Sequence, residues 1–220
     1  ERIELVPMSD LYRILIRDHV DLVLKPDRAQ TLDILQTHFP AQKDGIAAYF
    51  DLVYALFNEV IGVVYLGDPE VSREKYPLYH EYALKSLQEV MDRHISDPVL
   101  KLVLTPYWGY MGLPPSRMGF VDMASMMFAF IEFTPYHIKG GSQALSNALA
   151  ETVIEHGGEI RYHCAAERIL TADNRVTGVV TEYGEQIEAR AVVSNASKIS
   201  TYLQMLDPAQ VPAAVRDELR

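Results

Sequence analysis

The sequence predicts a mixed helix-and-sheet protein, α+β or α/β in class. Three observations predict it. Short alternating runs open the chain. Apolar residues at helical spacing recur between residues 27 and 156, and beyond Gly157 the spacing switches to two. The switch divides the chain into a first part, 1–135, of strands followed by helices. The second part, 136–220, reads as helix, antiparallel β-meander and buried strand.

Residues 3–24 read as two strands. Tyr12, Ile14 and Ile16 alternate with Leu11, Arg13 and Leu15, Asp18-His19 supplies the turn, and Leu22 to Leu24 form the return. Asp27 is the expected N-cap of a helix carrying Leu32, Leu35 and Phe39, which Pro40 ends. A long helix follows, with Ile46, Phe50, Val53, Phe57, Val60 and Val64 three or four apart, until Gly67-Asp68-Pro69 breaks the pattern. Tyr79, Ala83, Leu87, Val90, Met91 and His94 predict one further helix before Asp97-Pro98, and Val99 to Leu104 a short one. An aromatic, glycine-rich loop covers 106–116, and Phe120 to Phe133 is a mostly apolar segment.

The run Tyr136-His137-Ile138-Lys139-Gly140-Gly141-Ser142 opens the next helix, whose apolar face is Leu145, Ala148, Leu149 and Val153 and whose stop is Gly157-Gly158. Paired glycines at a helix entrance admit two readings. One is a plain loop-to-helix turn. The other is a place where a ligand, often anionic, meets unpaired N–H groups at the positive end of the helix. Ile160, Tyr162 and Cys164 then alternate with Arg161 and His163, and Ala166 to Leu170 continue extended. Asp173-Asn174 and Tyr183-Gly184-Glu185 mark turns around Val176 to Thr181 and Gln186 to Glu188. Ala191-Val192-Val193 reads as a short strand buried on both faces, ending at Ser194-Asn195-Ala196.

The 220 residues are 49% hydrophobic, enough for a sizeable core, and the formal net charge of −10 leaves no basic footprint for nucleic acid. The single cysteine, Cys164, precludes an internal disulfide and fits a reducing compartment; in its strand-like run it reads as an inert buried thiol. The seven histidines show no metal-ligand spacing, and no His-Glu-x-x-His, Gly-x-Ser-x-Gly or Walker pattern occurs, so no metal is expected. No stretch reads as a signal peptide or as an apolar run long enough to span a bilayer. The chain starts at Glu1 and stops inside a helical pattern, so both ends read as cut and a piece of a longer protein is expected.

Gly140-Gly141-Ser142, Ala148-Leu149 and His156-Gly157-Gly158-Glu159-Ile160 resemble the phytoene desaturase-like flavoproteins. Ala166-Glu167-Arg168-Ile169, Arg175-Val176-Thr177-Gly178-Val179, Gly184-Glu185 and Ala191-Val192-Val193-Ser194-Asn195-Ala196 extend the resemblance. These are the carotenoid desaturase, carotenoid isomerase and retinol saturase relatives of the amine oxidase superfamily. Leu11 to Leu24 with Phe39-Pro40 is similar to the family's entry into its substrate domain. The resemblance implies FAD, an apolar polyene or lipid-like substrate, and a Rossmann-like FAD-binding domain. Residues 1–135 would then be a substrate-binding domain and 136–220 part of the FAD-binding domain. The family's N-terminal Gly-x-Gly-x-x-Gly segment and its C-terminal glycine-rich segment are absent from these residues. Ala166 stands where relatives often carry valine, and His19 where a glycine is common.

The resemblance assigns Ala166 a main-chain contact to the adenine edge, with an ordinary sheet strand as the alternative. Ser194, Asn195 and Ala196 follow an expected buried strand, where small residues let a cofactor near the backbone; a turn with left-handed Asn195 is the alternative. Gly140, Gly141 and Ser142 complete the expected cofactor-binding set. Tyr136 to Gly141 should lie near the flavin ring. His137 could donate a hydrogen bond or shuttle a proton there, or be a structural hydrogen-bonder, and Lys139 could approach an anionic flavin or be solvated. Trp108, Tyr110, Met126, Met127, Phe130 and Tyr136 are the expected substrate-lining residues, with core packing as the alternative for the methionines and rings.

The expected function is an FAD-dependent oxidoreductase passing hydride from a long apolar substrate to flavin. A non-catalytic lipid- or partner-binding module is the rival. The expected location is cytoplasmic, with peripheral membrane contact through Phe120 to Phe133 as a third matter.

Overall fold

The computed structural model describes residues 2–219. They form two compact units, Glu1–Ala148 and Leu149–Arg220. The chain mixes helix and antiparallel sheet, as the sequence predicts.

The first unit opens with three strands, β1 (Leu5–Pro7), β2 (Tyr12–Ile16) and β3 (Val20–Leu24). β2 and β3 make a hairpin with Tyr12 opposite Leu24 and Ile16 opposite Val20. Its turn carries Asp18 at φ 63°, and Arg13 pairs with Asp21 across the strands at 2.6 Å. Val20, Leu22 and Leu24 face inward at every second position, the pleat's own period. The residue pattern predicts two strands over this stretch. β1 escaped it because its partner is far away in the chain and three residues carry no periodicity.

Asp27 caps α1 (Arg28–His38), its carboxylate accepting from the Gln30 N–H at 2.8 Å. α2 (Lys43–Val60) is the core of this unit. Ile46, Tyr49, Phe50, Val53, Leu56, Phe57 and Val60 are all buried, the three-and-four spacing of one helix face. The helix then widens into a π turn, Ile61–Tyr65, in which the Leu66 N–H reaches the Ile61 carbonyl, and Gly67 at φ 61° stops it. The run Pro40–Tyr65 is long and apolar enough, by length and composition, to cross a membrane, which corrects the sequence reading. A core helix passes the same test, and here the apolar face packs on α1 and on helices that follow.

The helices that follow are α3 (Pro77–Tyr82), α4 (Leu87–His94), α5 (Pro98–Leu104), α6 (Trp108–Met111) and α7 (Phe120–Glu132), of which α3, α4 and α7 pack on α2. The single helix expected over Tyr79 to His94 is two. Ser86 takes a capping-box role: its hydroxyl accepts the Glu89 N–H at 3.2 Å, and Glu89 accepts the Ser86 N–H at 2.8 Å. A cap of this kind defines a new helix start, so the apolar spacing bridges a break. β4 (Tyr136–Ile138) then pairs with β1, Tyr136 opposite Pro7.

The division between the units falls within α8 (Ser142–Glu155). Gly157 at φ 78° ends the helix. The N–H groups of Gly157 and Gly158 close on Ile154 and Val153. In the second unit, β5 (Ala166–Ala172), β6 (Arg175–Thr181) and β7 (Gln186–Glu188) make the expected antiparallel meander, in that order. Asp173 and Asn174, at φ 49° and 62°, form the tight first turn. Two expected strands are missing. Residues 159–165 are irregular, because no strand pairs with them among the described residues; their polar groups bond to the second meander turn instead. Ala191 to Val193 belong to no ladder, and Val193 is 98% exposed rather than buried. A strand buried on both faces needs a sheet to enter, and the sheets among the described residues are all antiparallel. A second π turn, Ser200–Met205, and α9 (Ala213–Glu218) complete the unit.

Candidate functional site

The Leu149–Arg220 unit contains a cavity of about 500 Å³ whose rim includes Ala166, Ser194, Asn195 and Ala196. Four expected cofactor-binding residues from two separate segments therefore meet in one place. The cavity opens at the first residue of β5. That residue is held in place by the second meander turn. Glu182 accepts the Ala165 N–H at 2.8 Å, and the Glu182 N–H returns to the Ala165 carbonyl at 2.9 Å. Arg161 adds a clamp, at 2.6 Å from Glu159 and 2.7 Å from Glu185. Those two carboxylates hold the guanidinium proton more tightly than usual, and Arg161 in turn lowers the pKa of Glu159.

The walls are apolar: Ile169 and Val179 from the meander, Val192 from the segment after it, Met205 from the π turn. The rim hydroxyls are occupied within the unit. Ser194 Oγ lies 2.8 Å from Thr201 Oγ1, and Ser197 Oγ accepts the Ser200 N–H at 3.0 Å. Three longer polar side chains on the cavity, Glu167, Asn195 and Gln204, make no hydrogen bond or ion pair with the described residues. Glu167, Ser200, Gln204 and Met205 escaped the sequence reading. Ser200 and Gln204 are four apart, which any helix puts on one side, whereas Met205, five from Ser200, joins them because the turn is π-helical, a spacing that a search at 3.6 residues per turn misses. The Ser-Asn-Ala-Ser run just before it was the available signal.

Gly140, Gly141 and Ser142 lie in the Glu1–Ala148 unit. Gly140 and Gly141 have φ of 85° and 82°, two consecutive left-handed residues that a side chain would strain, and a Cβ at Gly141 would meet nothing within 4 Å. The space beside α8's first turn is thus open. His137 is exposed on β4, opposite Val6. Lys139 pairs with Glu4 at 2.8 Å, and both are largely exposed. Cys164 is half-buried rather than buried.

The expected substrate-lining residues are spread over α6, α7 and β4 of the same unit. Trp108 and Tyr110 are exposed on α6, and Tyr136 is exposed on β4. Phe130 stacks on Tyr107 at 5.1 Å, and Tyr107 meets Tyr12 edge-on at 5.4 Å. Burial pushes the Tyr107 hydroxyl up to about 12. Met126 is half-buried, while Met127 belongs to the core.

Residues 29–220 match the family described as flavin containing amine oxidoreductase. This chain belongs to that family. The chain is 22% identical over 218 residues to a 4,4'-diapophytoene desaturase (4,4'-diapolycopene-forming) of Methylomonas sp, covering 94% of this chain and 41% of the relative. It is 31% identical over 122 residues to a 4,4'-diaponeurosporene oxygenase of Staphylococcus aureus (strain USA300), covering 55% of this chain and 24% of the relative. The fold is similar to that of an oxidoreductase from Methanosarcina mazei, at a TM-score of 0.58 and 15% identity, over 99% of this chain and 47% of that one. The chain thus spans less than half the length of each of these proteins.

The cavity of this member of the flavin containing amine oxidoreductase family combines apolar walls with polar side chains at its rim. Apolar walls suit a flat base, small residues at Ala166, Ser194 and Ala196 leave backbone accessible, and Glu167, Asn195 and Gln204 have unspent donors and acceptors.

Proposed function

We propose that the protein is an FAD-dependent oxidoreductase that moves hydride from a long apolar, polyene or lipid-like substrate to flavin. One observation carries the reading. Ala166, Ser194, Asn195 and Ala196, distant in sequence, share a cavity in a member of a flavin containing family. In this reading residues 136–220 are part of a Rossmann-like FAD-binding domain, and the cavity takes the adenosine end of the dinucleotide. The sequence order of helix, meander and Ser-Asn-Ala segment supports it. A bound flavin supplies the hydride acceptor, while the protein supplies position and exclusion of water.

Trp108, Tyr110, Met126, Phe130 and Tyr136 are the proposed substrate wall, with Met127 packed in the core beneath. Flat rings and a flexible thioether grip an apolar chain by shape alone. The relatives' names, a diapophytoene desaturase and a diaponeurosporene oxygenase, support an apolar substrate. The test is direct. The intact gene product should purify yellow and release FAD on denaturation. A colourless protein that takes up no FAD on reconstitution overturns the proposal.

A cytoplasmic location with peripheral membrane contact is proposed with it. Tyr65, Leu66 and Phe133 are exposed, and Phe57 and Phe128, stacked at 4.0 Å, link Tyr65 to Phe133. Flotation with liposomes that leaves all the protein in the soluble fraction would reject the contact.

A further inference from the structure

Two backbone irregularities converge on the cavity. In β5, Ala166 pairs with Thr181 and Arg168 with Val180, so Glu167 is an extra residue opposite no partner, a β-bulge. A bulge re-aims a side chain that regular pairing would send elsewhere. On the other side, Gln204 sits in the π turn Ser200–Met205, which also holds one residue more per turn than an α-helix. Both side chains line the same cavity, and neither makes a hydrogen bond or ion pair with the described residues. Their neighbours contrast with them: the Ser194 hydroxyl bonds that of Thr201, and the Ser197 hydroxyl that of Ser200.

From this convergence, we infer that Gln204 and Glu167 select the base of the bound dinucleotide. The inference rests on the reading that the cavity takes the adenosine end. The Gln204 carboxamide offers a donor and an acceptor side by side, the complement of adenine's ring-nitrogen acceptor and exocyclic amino donor. The Glu167 carboxylate only accepts, so it suits an amino group and repels a carbonyl oxygen in its place. Ile169, Val179 and Met205 supply the apolar surface against which a planar base lies. The pair therefore favours adenine over hypoxanthine, which differs from it by a carbonyl for the amino group and a protonated neighbouring ring nitrogen.

The test titrates the intact apoprotein with FAD and with the flavin dinucleotide that carries hypoxanthine, read by quenching of flavin fluorescence. The wild type should prefer FAD by about 10- to 100-fold, the range of one good bidentate contact. Gln204→Leu and Glu167→Leu should each lower that preference at least severalfold. Variants that keep the wild-type ratio overturn the inference. Ala196→Trp, which fills the cavity, separates this from failure of the underlying reading. If it abolishes FAD binding while Gln204→Leu and Glu167→Leu keep the ratio, the cavity reading stands and base selection falls. If Ala196→Trp binds FAD like the wild type, both fall. Far-UV circular dichroism checks that each variant is folded.

Discussion

Ser194 Oγ lies 2.8 Å from Thr201 Oγ1, and this hydroxyl pair ties the Ser-Asn-Ala segment to the π turn that faces the cavity. The same Ser194 oxygen accepts the Ala196 N–H at 3.3 Å. Without this tie the segment has no ladder to hold it. Ser194→Ala should therefore weaken FAD binding about fivefold, the equivalent of about 1 kcal/mol for one hydrogen bond, with little change in melting temperature. Fluorescence titration against thermal melting separates the two effects. An unchanged affinity would show that the tie plays no part in binding.

Gly178 should be intolerant of any side chain. A Cβ there would stand 2.3 Å from the Ile187 carbonyl oxygen, in the middle of the β6–β7 ladder. Backbone cannot yield as a flexible side chain does. Gly178→Ala should cost about 1–3 kcal/mol, the usual range for overpacking. Chemical denaturation measures it, and faster amide exchange at Val179 and Val180 should accompany it.

Acid should undo the clasp on the π turn that ends α2. Asp68 is held down from its ordinary 3.8 to about 2, first by Lys75, then by the Tyr76 hydroxyl, then by the Glu70 N–H. The contacts are 2.6, 2.5 and 2.8 Å. A carboxyl with a lowered folded pKa adds stability above its unfolded value and loses it as pH falls through the folded one. Wild type should then out-melt Asp68→Asn above pH 3.8, and the gap should close as pH falls towards about 2. A gap that does not change with pH would assign the difference to shape rather than charge.

Phe57 and Phe128, both buried, stack at 4.0 Å with an interplanar angle of 17°. Phe128→Ala should destabilise by about 3–5 kcal/mol, the range for a large core ring. A double-mutant cycle with Phe57→Ala should return a coupling of about 0.5–1.5 kcal/mol. Additive effects would mean that each ring packs independently on other neighbours.

What the sequence made legible follows contact distance. The β2–β3 hairpin, the Asp27 cap and the β5–β7 meander are specified by neighbours, and each stands where the residue pattern puts it. β1 pairs with β4 from the far end of the unit, and no local pattern announces such a pairing. Ser86 reads as one more residue on a helix until its capping box with Glu89 is seen. Ala191 to Val193 have strand composition, yet a strand exists only where another accepts its hydrogen bonds. The cavity was half legible. Ala166 and the Ser194 to Ala196 run carry motif identity, whereas Glu167 and Met205 reach it through a bulge and a π turn, which leave no periodic trace.

The lone cysteine has a practical consequence. Cys164 is half-buried two positions ahead of Ala166, in a chain with no other thiol. Among these 220 residues that is the one site a maleimide dye would find. Isoalloxazine absorbs visible light, so energy transfer from such a dye would report dinucleotide docking in real time, independently of turnover.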